Sequence, residues 1–137
     1  MSEHTVKPVE SGLLVLASED ARRKIFEFNF SDAAVKVFNF HQTDKPLANH
    51  FHKNKDEFFL FLEGGGVVFT AAVDVDGKII GEIKRHDVGP MCTICIRAWN
   101  THRFDLKPGT KFVEYSTKPF DKNDMYASPI EFPKQAM

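Results

Sequence analysis

Two histidines one residue apart, His50 and His52, precede a short polar loop and then the apolar run Phe58, Phe59, Leu60, Phe61, Leu62. Side chains at i and i+2 of an extended chain leave the same face, so the two imidazoles look the same way. Glu57 follows after Lys53, Asn54, Lys55 and Asp56, a spacing that fits a turn, and it opens the next strand. A hairpin of this shape sets one carboxylate beside two imidazoles. That donor set has borderline-to-hard character and suits Fe, Mn, Ni, Co or Zn as a divalent ion. By parity Glu57, Phe59 and Phe61 share one face of the strand, and Phe58, Leu60 and Leu62 share the other. Three glycines at 64–66 then mark a tight corner, where glycine supplies positive φ at no steric cost.

The rest of the chain repeats this grammar of short strands and turns. Residues 26–30 alternate apolar and polar, as a half-buried strand does, and residues 34–41 read as a second strand. Residues 67–73 and 78–84 flank Asp76-Gly77, a hairpin signal. Residues 85–90 read as a loop, 91–98 as a strand, 103–106 as a short strand and 111–117 as the last one. Residues 18–24 fit either a short helical turn or a charged hairpin loop. No long helical period and no internal repeat is present, and fourteen Phe can fill a small core. The expectation is an all-β sandwich or barrel.

His-x-His, four residues, Glu, six residues, Gly, carried here by His50, His52, Glu57 and Gly64, resembles the first signature of the cupin superfamily. His102 matches the histidine that ends the family's second signature. The Pro-x-Gly usually found before that histidine reads Arg97-Ala98-Trp99, and Asp44 stands where a Gly usually precedes the first signature. The resemblance implies a single cupin domain over 1–137, a double-stranded β-helix (jelly roll) with its barrel core at about 25–117, an N-terminal arm at 1–24 and a tail at 118–137. It also implies one divalent transition metal held by His50, His52, Glu57 and His102. A looser resemblance, over residues 101–110 and 113–121, is to the small cupins associated with lipopolysaccharide and O-antigen assembly. It implies a setting in carbohydrate or surface-polysaccharide metabolism and, with the exposed-looking apolar run at 12–17, a homodimer.

A formal charge of −1 with interleaved signs argues against nucleic-acid and membrane-surface partners. No run approaches the roughly 18 apolar residues of a membrane span, and the N-terminus lacks the pattern of a signal peptide, so a cytoplasmic protein is expected. Cys92 and Cys95 sit in an apolar β-branched run and read as reduced strand cysteines. His41 and His86 are expected outside the site.

Three imidazoles and a carboxylate leave coordination positions open, which suits chemistry on a bound small molecule. Arg97 is the candidate clamp for an anionic group, or else a scaffold residue paired with Glu82 or Glu114. Trp99, Phe59 and Phe61 are the other candidates for substrate contact. Alternation places Thr93, Cys95 and Arg97 on the cavity face of their strand. Isomerase or epimerase chemistry on a sugar-derived or other oxygenated anion is the leading expectation. Fe(II)-dependent dioxygenation and non-catalytic ligand binding are the alternatives.

Overall fold

The structure, a computed structural model, describes residues 5–6, 8–30, 33–40, 46–118 and 120–134. In chain order the strands are β1 (Val15–Glu19), β2 (Arg23–Phe30), β3 (Ala33–Phe40), β4 (Leu47–Phe51), β5 (Glu57–Glu63), β6 (Gly66–Val73), β7 (Ile79–Val88), β8 (Thr93–Ile96), β9 (Asn100–Leu106), β10 (Thr110–Ser116) and β11 (Tyr126–Ala127). They form two antiparallel sheets, one ordered β1-β2-β3-β10-β5-β8 and the other β11-β4-β9-β6-β7. Among the described residues the only helix is one 3-10 turn, η1 (Lys122–Asp124). None is long and apolar enough to cross a membrane.

The chain passes repeatedly from one sheet to the other, and the core lies between them. Phe59, Phe61 and Phe112 from the first sheet meet Leu47, Val68, Phe104 and Leu106 from the second. Phe61 is wholly buried, at 5.3 Å from the Phe112 ring and 6.3 Å from that of Phe104. Burying each such ring stabilises the fold by about 1.5–3 kcal/mol. The corner at 64–66 is where the chain leaves one sheet for the other, and it has no room for side chains. A Cβ on Gly65 would lie 2.2 Å from the Val88 carbonyl oxygen, and one on Gly66 2.2 Å from that of Asp105.

Strand register divides the inner face of the first sheet into rows. Ile25, Phe38, Phe112 and Phe61 are cross-strand neighbours and make an apolar floor. One row along, Glu27, Lys36, Glu114 and Phe59 are neighbours, and beyond them Ser116 faces Glu57. The inner face thus grades from hydrocarbon to charge over a few residues.

Several expected boundaries move. Residues 18–24 form the β1–β2 hairpin, its turn held by Asp20, whose carboxylate accepts from the Arg22 and Arg23 amides at 2.7 and 3.2 Å. Strand β7 runs on through residues 85–88, read from sequence as loop, because β6 pairs with it as far as Gly66↔Val88. The face assignment of β8 is reversed. Glu57 pairs with Ile96 and Phe59 with Ile94. Cross-strand partners share a face, so Ile94 and Ile96 point inward and Thr93 and Cys95 point out. The tail does not trail away. Phe132 packs on Phe69 at 5.9 Å, on the outer face of the second sheet. Arg103 donates there to the Phe132 carbonyl at 2.9 Å and to that of Pro133.

Candidate metal centre

Strand β4 carries a bulge between Ala48 and His50, where Ala48 and Asn49 take φ of 68° and 75°. Bulges re-aim the side chains that follow them. Here the bulge brings His50 directly opposite His102 on β9. The ring of His50 lies 4.8 Å from that of His52 and 4.9 Å from that of His102. Glu57, the first residue of β5, completes the group. One donor atom from each of His50, His52, Glu57 and His102 lies within 4.8 Å of all the others.

Two backbone carbonyls orient the rings. His52 donates Nδ1–H to the Asp124 oxygen at 2.6 Å, and His102 donates Nδ1–H to that of Asn100 at 3.0 Å. In the neutral rings this leaves each Nε2 as a bare lone pair. Those two nitrogens stand 3.3 and 3.5 Å from Oε1 of Glu57. That oxygen is buried and has no hydrogen-bond partner. Three acceptors turned toward one another repel unless a cation sits among them. Donors bound at about 2.1 Å to one ion lie about 3.0–3.4 Å apart at octahedral or tetrahedral angles. The donor set, and the spacing of Glu57 from His52 and His102, therefore fit a divalent transition metal.

Electrostatics agree with that arrangement. Burial holds His50 well down, to about 3, with His102 and His52 adding to the effect. Burial likewise lowers His102. For Glu57 burial pushes the carboxyl up, and positive charge at His52 and His102 pulls it below the usual range, a pull that needs a proton on those Nε2 atoms or a metal cation in its place. Its neighbour Glu114 is pushed up to about 8, by burial first and then by the charge on Glu57. Ser116 donates to Glu114 at 3.1 Å, and the Lys36 ammonium stands 3.9 Å away.

The loop bearing His52 is braced from two sides. The Asp124 carboxylate accepts from the Lys53 amide at 2.8 Å and from the Asn54 amide and side chain at 3.1 and 3.3 Å. Asp56 accepts from the Ala98 amide at 2.8 Å, and the Trp99 amide donates to the His52 carbonyl at 2.7 Å. Sequence reading passed over Asp56 and Asp124. The Asp121-x-Asn123 capping turn was the one local sign that the tail was ordered, since Asp121 accepts from the Asn123 amide at 2.9 Å.

A cavity of about 540 Å³ opens over the ligand group. Phe59 lines it, as do Phe38, Phe104 and Phe112. Phe61 lies behind them in the core. Arg97 and Trp99 do not line the cavity. The chain turns out of β8 after Ile96, so the Arg97 side chain is 65% exposed, 3.3 Å from Asp56 and over the Phe58 ring. Asp56 takes the role expected of Glu82 or Glu114. Trp99 lies beside Phe51, with the Lys53 ammonium 5.2 Å from its ring. His86 bonds to Thr70 at 3.0 Å, apart from the ligand atoms. His41 lies outside the described residues.

No family model and no curated protein matches the sequence. Among solved structures, the capsular polysaccharide assembling protein CapF from Staphylococcus aureus superposes with a TM-score of 0.70 at 24% identity, over 88% of this chain and 33% of that one. A Bacillus subtilis oxalate decarboxylase variant gives 0.63 at 15% identity, over 88% and 33%. The vicilin of Capsicum annuum gives 0.61 at 17%, over 75% and 30%. The chain spans about a third of the length of these proteins. Two antiparallel sheets that superpose on these structures give this chain the cupin fold.

Proposed function

We propose that the chain binds one divalent transition metal through His50, His52, Glu57 and His102, and that it catalyses isomerisation or epimerisation of a small, oxygenated, anionic substrate. The observation that carries the metal assignment is the buried, unpartnered Oε1 of Glu57 between two Nε2 atoms. A bound ion supplies Lewis acidity, polarising a substrate oxygen and acidifying the adjoining C–H. The chain's own residues do the rest. The aromatic floor of Phe59, Phe104 and Phe112 excludes water from one side of the cavity. Lys36 and Glu114, in the charged row beside Glu57, are groups able to carry a proton. A place in surface-polysaccharide metabolism is supported by the likeness to CapF, described as a capsular polysaccharide assembling protein.

The test is metal analysis of protein purified without an affinity tag, followed by solvent-deuterium incorporation and O2 uptake with a panel of sugar acids and sugar phosphates. Deuterium incorporation without O2 uptake is the expected result. Iron together with O2 consumption would convert the reading to a dioxygenase, and metal without any turnover would convert it to a binding module. We further propose a homodimer formed through β1, whose five residues are all exposed and which lies at the edge of its sheet.

A further inference from the structure

The cavity is lined by several cations, and one of them has no close protein partner. Lys55, in the loop between the ligands His52 and Glu57, is only 5% exposed in its side chain. Its nearest carboxylate oxygen is Oε2 of Glu57 at 3.9 Å, beyond hydrogen-bond reach. Among the described residues its ammonium makes no hydrogen bond, and the side chain lines the cavity. Lys36 on β3 is 15% exposed, 3.9 Å from Glu114 and 5.2 Å from the Phe120 ring. Arg23 on β2 is 16% exposed and paired with Asp20 at 3.0 Å, although its Nη1 makes no hydrogen bond. Both side chains line the same cavity.

A buried ammonium needs acceptors, because desolvation of an ion costs several kcal/mol unless paired and hydrogen-bonded. The contrast with the other basic residues near the ligands is direct. Lys53 lies 4.1 Å from the Tyr126 ring, and Arg103 is held by Asp105 at 2.8 Å. Those have partners on the outside of the barrel, whereas Lys55 on the inside has only the Glu57 carboxylate, at 3.9 Å. A divalent ion on Glu57 would leave Lys55 still less compensated, since the carboxylate charge is then shared with the metal.

We propose that Lys55 contacts the substrate, donating to an oxyanion (a carboxylate or phosphate oxygen) seated in the cavity beside the four-residue cluster. Lys36 and Arg23 extend the same anion subsite along strands β3 and β2. The inference builds on the proposed metal-dependent function and names its substrate class by charge. It also replaces Arg97 as the clamp, because Arg97 is outside the cavity and paired with Asp56.

The experiment titrates inorganic phosphate and glycolate, in separate arms, into metal-free and zinc-loaded protein by calorimetry at constant ionic strength. The variants are Lys55→Met and, as a conservative check, Lys55→Arg. Loss of one charge-assisted hydrogen bond is expected to weaken anion binding about tenfold or more in Lys55→Met, with Lys55→Arg closer to wild type. Whichever anion shows the drop identifies the oxyanion class. Metal content is measured on the same samples and tests the metal reading separately: a chain that holds no zinc but binds anions through Lys55 retains this inference and loses that one. Anion affinity unchanged in Lys55→Met, above all with tighter zinc binding, would make Lys55 a counter-charge for Glu57 and overturn the proposal. So would wild-type protein that binds neither anion. If Lys55→Met does not fold, Lys36→Met is read by the same criteria.

Discussion

Asp124 lies in the C-terminal tail, 72 residues along the chain from His52, yet it shapes the ligand loop. Asp124→Ala removes the carboxylate that accepts from the Lys53 amide, the Asn54 amide and the Asn54 side chain at 2.8, 3.1 and 3.3 Å. Asp124 is 5% exposed, so water cannot replace it without rearrangement. Hydrogen bonds to a charged group contribute about 1.5–3 kcal/mol each, and the longest of the three contributes least. Partial rehydration of a loop offsets some of this, so a loss of about 2–4 kcal/mol of folding stability is expected. The backbone carbonyl that fixes the His52 ring survives the substitution. Any fall in metal affinity therefore reports loop position and not ring tautomer. Loss of an outer partner of a metal ligand typically lowers affinity about 10–100-fold. Chelator-competition titration of wild type and variant, with thermal unfolding of both metal-free proteins, measures the two effects. Metal affinity within about twofold of wild type, in a variant that still folds, would show that the loop holds its geometry without the tail.

Other expectations follow from the same geometry. His52→Ala should abolish stoichiometric metal, read by elemental analysis, whereas His86→Ala, outside the cluster, should retain it. Stripping metal from the folded protein should lower Tm, because it leaves Oε1 of Glu57 facing two lone pairs; an unchanged Tm on chelation would count against the site. His50 titrates in the folded metal-free protein only near 3, by burial first, but near 6.5 when unfolded. Its contribution is therefore constant above pH 6.5, and stability falls as pH drops from there toward 3, by at most about 1.4 kcal/mol per pH unit. Metal-free His50→Gln should show a shallower acid limb in denaturant titrations. Sedimentation at micromolar concentration should give twice the 15.6 kDa chain mass, and Leu16→Glu in the exposed strand β1 should shift it toward monomer.

How much was legible in the sequence depended on how locally each feature is encoded. The spacing of His50, His52 and Glu57 is set by one turn, so parity and a loop length suffice to bring them together. Alternation also placed Glu57, Phe59 and Phe61 on one face, which the burial pattern of β5 matches. The same reasoning failed on β8, where apolar residues alternate with small polar ones and both faces read as plausible. What decides that strand is its partner, since Ile96 must follow Glu57 inward. Lys55 and Asp124 were illegible for another reason. One is a lysine in a polar loop, the other an aspartate in a proline-rich tail, and only tertiary contact distinguishes either from a solvated charge.

The departure at the second signature illustrates how a backbone requirement can outlast the residue that usually meets it. Where the signature that the chain resembles has Pro-x-Gly, this chain has Arg97-Ala98-Trp99, and the glycine position is filled by the bulkiest residue available. Trp99 nonetheless adopts φ of 66°, the left-handed region that glycine enters freely and that costs other residues roughly 1–2 kcal/mol. The turn is therefore kept with a side chain opposed to it. Three contacts offset the strain. The Trp99 amide donates to the His52 carbonyl at 2.7 Å, its carbonyl accepts from the Val73 amide at 2.9 Å, and its ring lies under the Lys53 ammonium. The first of these ties the turn to a candidate ligand residue, so a conformation usually met by glycine serves here to seat His52. Backbone strain beside a site persists only where the surroundings over-determine it, and the surroundings of Trp99 are the loop that carries the candidate metal ligands His52 and Glu57.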